Sequence, residues 1–194
     1  MSNKLSRSKN KEAGFSLLEA IVAIAILTIG LIGTVAAVTY ALQMSTASRN
    51  VGSAKLIIMT TFEQIEALRN SHRLKFVQIA NVGEVDNSDS KITFSGFSVG
   101  VKPVTLSAGP DQIDGTDDDL TDAGADGVYG TGDDFQNEAL IRSGYQREII
   151  ITKLPNQQFG KKVEVIVHYA SVNGIVRTIS GVCYFNDNDR TVVY

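Results

Sequence analysis

The sequence is poor in the side chains that most enzyme chemistry requires. Its 194 residues hold one cysteine and two histidines. A single thiol, Cys183, excludes an intrachain disulfide and any zinc site built from several thiolates. It lies in the strand-like run Val182-Cys183-Tyr184-Phe185, where a buried, inert thiol is expected. His72 and His168 stand far apart without motif neighbours, and both read as structural or surface groups. The chain has no Ser-His-Asp order, histidine cluster, Walker loop or dinucleotide fingerprint. These absences weigh against an enzyme.

Two stretches lack charge of a given sign. Between Lys102 and Arg142 there is no lysine or arginine, yet ten of the chain's 21 acidic residues lie there. The other 11 acids are set against 18 bases, so the overall charge of −3 averages a net +7 body with a −10 insert. Nothing in this balance indicates nucleic acid. From Ala20 to Ser48 there is no charge at all, and the 23 residues from Ala20 to Leu42 are almost wholly apolar. As a helix that run is about 35 Å long, enough for a hydrocarbon core of about 30 Å. Lys4, Arg7, Lys9 and Lys11 precede it against one acid, Glu12, whereas only Arg49 and Lys55 follow closely. The positive-inside rule keeps the N-terminus cytoplasmic and sends the remainder outward. A cleaved secretory signal or a generic anchor is the commoner explanation of such a run. Against the first stands its length, since a signal core holds about 7–15 apolar residues, although Thr39-Tyr40-Ala41 could serve as a cleavage site. Against both stands Glu19, a lone carboxylate at the start of the apolar stretch, where it is costly unless a cation meets it.

The residues around Glu19 form a specific pattern. Gly14-Phe15-Ser16-Leu17-Leu18-Glu19, followed by Ala20-Ile21-Val22-Ala23-Ile24-Ala25-Ile26-Leu27, resembles the class III signal of type IV prepilins and type II secretion pseudopilins. Ile29-Gly30-Leu31-Ile32-Gly33 is most similar to the PilV-like minor pilins, with the minor pseudopilin I family next. The resemblance implies that a prepilin peptidase cuts after Gly14 and methylates the new amine of Phe15. A glycine before the cut suits a tight protease site. It further implies that Glu19 accepts the charged terminus of a neighbouring subunit's Phe15, neutralising both charges in an apolar filament core. The implied partners are the peptidase, other major and minor pilins and, before assembly, the inner membrane. The implied destination is a periplasmic or cell-surface filament.

Past the apolar run, Val51, Ala54, Ile58, Phe62, Ile65 and Leu68 recur at steps of three and four, which predicts amphipathic helix. One helix from Phe15 to about Arg73 would measure roughly 88 Å; two helices broken near Gly52-Ser53 are the alternative. Lys91–Val101 alternates and predicts a strand kinked at Gly96, and Tyr145–Leu154, Lys162–Ala170 and Ile175–Phe185 predict three more. Ser171-Val172-Asn173-Gly174 carries a hairpin signal, and Pro155 to Gly160 a longer turn. The expected fold is therefore α+β and pilin-like, a long helix on an antiparallel sheet of about four strands. The expected divisions are a cleaved leader over 1–14, a filament-core helix over 15–48 and an α+β domain over 49–194.

Within that domain, 109–135 contains an ungapped duplication at an offset of 15 residues. Gly109, Asp111, Gly115-Thr116, Asp118-Asp119 and Leu120 recur as Gly124, Asp126, Gly130-Thr131, Asp133-Asp134 and Phe135. Calcium is one reason for such chemistry, because it takes six to eight oxygen ligands from glycine-turned loops. Asp111, Asp117, Asp119, Asp126, Asp133 and Asp134 are its candidate ligands. A solvated acidic loop is the equal alternative. The function expected is a non-enzymatic minor pilin that initiates, caps or decorates a filament. The alternatives are a type II secretion pseudopilin and a calcium-stabilised adhesive or docking subunit.

Overall fold

The computed structural model describes residues 16–88, 90, 92–155, 160–172 and 174–187. Gly14 and Phe15 lie outside the described residues. The element order is one helix, α1 (Leu17–Asn70), then six strands: β1 (Lys102–Thr105), β2 (Thr121–Asp122), β3 (Phe135–Gln136), β4 (Ile141–Lys153), β5 (Gly160–Ala170) and β6 (Val176–Asn186). The chain divides into compact units at Ser45/Thr46.

Helix α1 is helical without interruption through Gly52-Ser53. Every described residue from 16 to 46 is exposed. Thr28, Thr34 and Thr39 return their hydroxyls to carbonyls three or four residues back, so these three hydroxyls are satisfied within the helix itself. From Ala54 onward one face is buried: Ala54, Ile57, Ile58, Thr61, Ile65 and Leu68. The helix ends where His72 turns left-handed at φ 55° and the Arg73 and Leu74 amides close on the Leu68 carbonyl.

That face packs on a four-stranded antiparallel sheet of order β1-β4-β5-β6. Strand β5 is the apolar centre, with Val163, Val165 and Val167 fully buried in alternation. Gly181 of β6 marks the closest approach, since a Cβ there would stand 2.6 Å from Ile58 Cγ2. Arg69 Nη1 donates to the Asn186 carbonyl at 3.0 Å and Asn50 Nδ2 to Ala170 O at 3.0 Å, tying the helix to strand ends. Cys183 is half-buried against the core.

Three predicted strands are present with their ends shifted by up to four residues. The fourth is not where the alternation put it. Residues 92–101 form an irregular crossing with a single bridge between Asn81 and Phe97, and the sheet's fourth strand is β1. Gly96 and Gly100 take φ of 107° and 77°, which breaks an extended path. Side-chain amides replace the ladder. Asn87 accepts from the Phe94 amide and donates to its carbonyl, and Asn81 donates to Ile149 O and accepts from the Ile151 amide, both at 2.8 Å. The apolar residues of that alternation, Phe94 and Phe97, are buried and meet edge to face with centroids 5.3 Å apart.

Candidate functional site

Two parts of the molecule carry features beyond packing: the exposed segment of α1 and the duplicated acidic loops. At the helix start, the amides of Glu19 and Ala20 close on the Ser16 carbonyl at 2.9 and 3.1 Å. Glu19 thus stands in the first turn, where the helix dipole favours a negative charge. It is the one charged residue between Leu17 and Ser48. A Cβ built on Gly30 or Gly33 meets nothing within 4 Å. Both glycines are open for a neighbouring helix to approach. By length and apolar composition α1 can cross a membrane.

The duplication in sequence is a duplication in structure. In the first loop the Ile113 amide donates to Asp111 Oδ1 (2.7 Å) and the Gly115 amide to Asp119 Oδ2 (2.8 Å), while Thr116 Oγ1 lies 2.5 Å from Asp118 Oδ1. In the second, the Val128 amide donates to Asp126 Oδ1 (2.8 Å) and the Gly130 amide to Asp134 Oδ2 (2.7 Å), while Thr131 Oγ1 lies 2.6 Å from Asp133 Oδ1. Each bond recurs at the 15-residue offset. Gly109 and Gly124 are required in the same way: a Cβ would stand 2.5 Å from Asp118 O in one and 2.5 Å from Asp133 Oδ2 in the other. The loops are joined by the two-residue ladder of β2 with β3, in which Thr121 faces its own equivalent Gln136.

The surroundings of the two loops differ. The first is anchored by Arg147, a buried guanidinium that holds both oxygens of Asp114 at 2.5 and 2.8 Å and donates to Thr61 Oγ1 of α1 at 3.0 Å. Burial, then repulsion from Asp118, pushes the Asp111 carboxyl up to about 6; burial, then repulsion from Asp114, does the same for Asp119. Asp117 is held low, chiefly by the Ser98 hydroxyl and then by Lys102 at 3.2 Å. The second loop is exposed from Ala125 to Asp133.

Calcium takes six to eight converging oxygens, whereas Asp111, Asp119, Asp126, Asp133 and Asp134 accept from amides and hydroxyls of their own loops and Asp117 accepts from Ser98 and pairs with Lys102. Among the described residues, no three Asp, Glu, His or Cys side chains form a group that could hold a metal ion.

Two buried cations had no signal in the sequence beyond an odd charge in a strand. Arg147 is one. Lys161, also buried, donates its ammonium to the carbonyls of Phe76 (2.8 Å), Val77 (3.1 Å) and Ile79 (2.7 Å) over the Phe76 ring. Burial, then the charge of Lys153, lowers its pKa to about 8. Their place on the inward face of β4 and β5 could have been read from the alternation, but not their partners.

A model of the prokaryotic N-terminal methylation motif matches residues 9–35. The match spans Lys9 and Lys11 of the basic flank, Gly14-Phe15, Glu19 and the apolar start of α1. No curated protein and no solved structure matches the chain. The methylation motif and the long helix on its antiparallel sheet support a type IV pilin-like or pseudopilin protein, a structural subunit processed by prepilin peptidase and consistent with membrane anchoring.

Proposed function

We propose that this chain is a minor subunit of a type IV pilus, which initiates, caps or decorates the filament after cleavage behind Gly14 and methylation of Phe15. The observation that carries the reading is the joining of the methylation motif to a helix whose residues 17–46 are all exposed around a single carboxylate, Glu19. An apolar helix bare on every side needs lipid first and other helices afterwards. Glu19 then takes the freed amine of Phe15 on the neighbouring subunit, and the cytoplasmic N-terminus and outward globular unit follow from the basic flank. The test replaces Glu19 with Gln and, separately, Gly14 with Leu. Glu19→Gln should mature normally and fail to enter filaments, and Gly14→Leu should accumulate uncut in the membrane. Normal filaments from both variants contradict the proposal.

Calcium binding by Asp111, Asp117, Asp119, Asp126, Asp133 and Asp134 is a separate proposal for the insert, supported by nine aspartates among duplicated glycine turns over 109–135. The carboxylates would have to exchange amide partners for the ion. Slower proteolysis of 109–135 in calcium than in chelator supports it; equal rates oppose it.

A further inference from the structure

The two acidic loops share one conformation, and only the first is covered. Ile113 is 4% exposed, Ser98 donates its amide to the Gly115 carbonyl at 2.8 Å, and a Cβ on Gly115 would meet Ile149 Cδ1 at 2.7 Å. At the same places in the second loop, Val128 is 56% exposed, Tyr129 is 39% exposed, and Gly130 has nothing within 4 Å. The internal bonds that shape the loop hold it whether or not anything covers it. Val128 and Tyr129 are therefore presented outward by a preorganised turn, which lowers the ordering cost of docking.

A groove of the opposite character lies on the same globular unit. Pro103, Ile141, Tyr145 and Val176 line it, together with Arg142 and His168, and its cavity volume is about 470 Å³. No Asp or Glu is among its described lining residues. Arg142 lies over the Tyr145 ring at 5.0 Å, which holds its charge at the rim. His168 faces Thr178 through Nδ1 at 3.1 Å, and its Nε2 is buried without a hydrogen-bond partner among the described residues.

We propose that the second acidic loop of one copy docks through Val128 and Tyr129 into the groove beside Arg142 and His168 of a second copy. The apolar pair meets the apolar walls. Asp126, Asp133 and Asp134 then lie toward Arg142, and the absence of bases between Lys102 and Arg142 leaves nothing in the loop to oppose that attraction. The first loop shows how such a loop sits on this protein, with its apolar residue Ile113 inward; Tyr129 stands where that loop has Asp114. The inference rests on the subunit reading only in that copies must meet in one membrane or filament.

The test is photo-cross-linking of the full chain in membranes, with benzoylphenylalanine in place of Tyr129. The expected product is a covalent homodimer whose cross-link maps to residues 141–146 or 168–176. Arg142→Glu should cut its yield about ten-fold or more, because like charges then face each other across the contact. The reciprocal probe at Val176, with Arg142 intact, should capture residues 124–135 and remains informative if Arg142→Glu unfolds. No homodimer, a cross-link elsewhere, capture of a different protein alone, or an undiminished yield from folded Arg142→Glu overturns the proposal. The amino terminus of the same sample is read by mass spectrometry. A correctly matured chain without the homodimer would sink the docking alone, and a chain not starting at Phe15 would sink the subunit reading.

Discussion

Arg147 and Lys161 place two cations inside the globular unit, and Gly181 leaves no room for a side chain against Ile58 of α1. Arg147 joins β4, α1 and the first acidic loop, so Arg147→Ala should destabilise by about 3–5 kcal/mol in urea unfolding, as expected when one partner of a buried pair is removed. Asp114→Asn should cost less, since the Asp114 side chain is 29% exposed and an amide can still accept from Arg147. Gly181→Ala should cost about 1–3 kcal/mol, because its methyl must displace Ile58. The buried titratable groups give the pH profile its sign. Asp111 and Asp119 titrate near 6 in the fold against 3.8 when unfolded. Between those values the native state holds more protons, so their contribution to stability falls as pH rises from about 4 to 6. Asp119→Asn removes that penalty while keeping an acceptor for the Gly115 amide. Its melting temperature relative to wild type should therefore rise across the same window. Lys161, at about 8 in the fold against 10.5, acts the other way at high pH: stability gained from it rises between those values. Thermal melts at closely spaced pH check both; a Lys161→Met variant should lose the alkaline slope.

Among the elements, the duplicated loops provide their own control. Gly115 and Gly130 share a left-handed φ, 98° and 86°, but only Gly115 touches the core. Alanine at either adds backbone strain of about 1 kcal/mol. Gly115→Ala adds the clash with Ile149 and should lower the global unfolding free energy by a further 1–3 kcal/mol or so, whereas Gly130→Ala should leave little beyond the strain. Equal losses would mean that the second loop is packed as the first is. The comparison also explains what could be read beforehand. The repeat was visible because glycine, threonine and paired aspartates recur at one offset, and the same letters make the same hydrogen bonds. Its asymmetric burial was hidden, because Ile113 and Val128 are equivalent as letters and differ only in what long-range packing brings to them. The strand expected over 91–101 failed for a related reason: Phe94 and Phe97 do face the core, but Asn81 and Asn87 satisfy the backbone that a ladder would have paired. The long amphipathic helix and the three C-terminal strands were legible because periods of 3.6 and 2 survive whatever they pack against.

For the whole molecule, the N-terminal segment and the globular unit solve different problems. The sheet and one face of α1 from Ala54 onward bury a common core, whereas the segment over 17–46 is exposed throughout and largely apolar, consistent with membrane anchoring. The methylation motif over residues 9–35 was legible because it is written in contiguous local sequence. Contacts with other chains were not, since one chain's sequence does not contain its partners. The central claim is that Glu19 persists in an apolar helix because a freed amine at Phe15 of a neighbouring subunit meets it. Intact-mass and amino-terminal fragment spectra of the chain purified from its own membranes test this most directly. The account predicts a chain that begins at N-methylated Phe15; a chain that begins at Met1, or after Ala41, would contradict it.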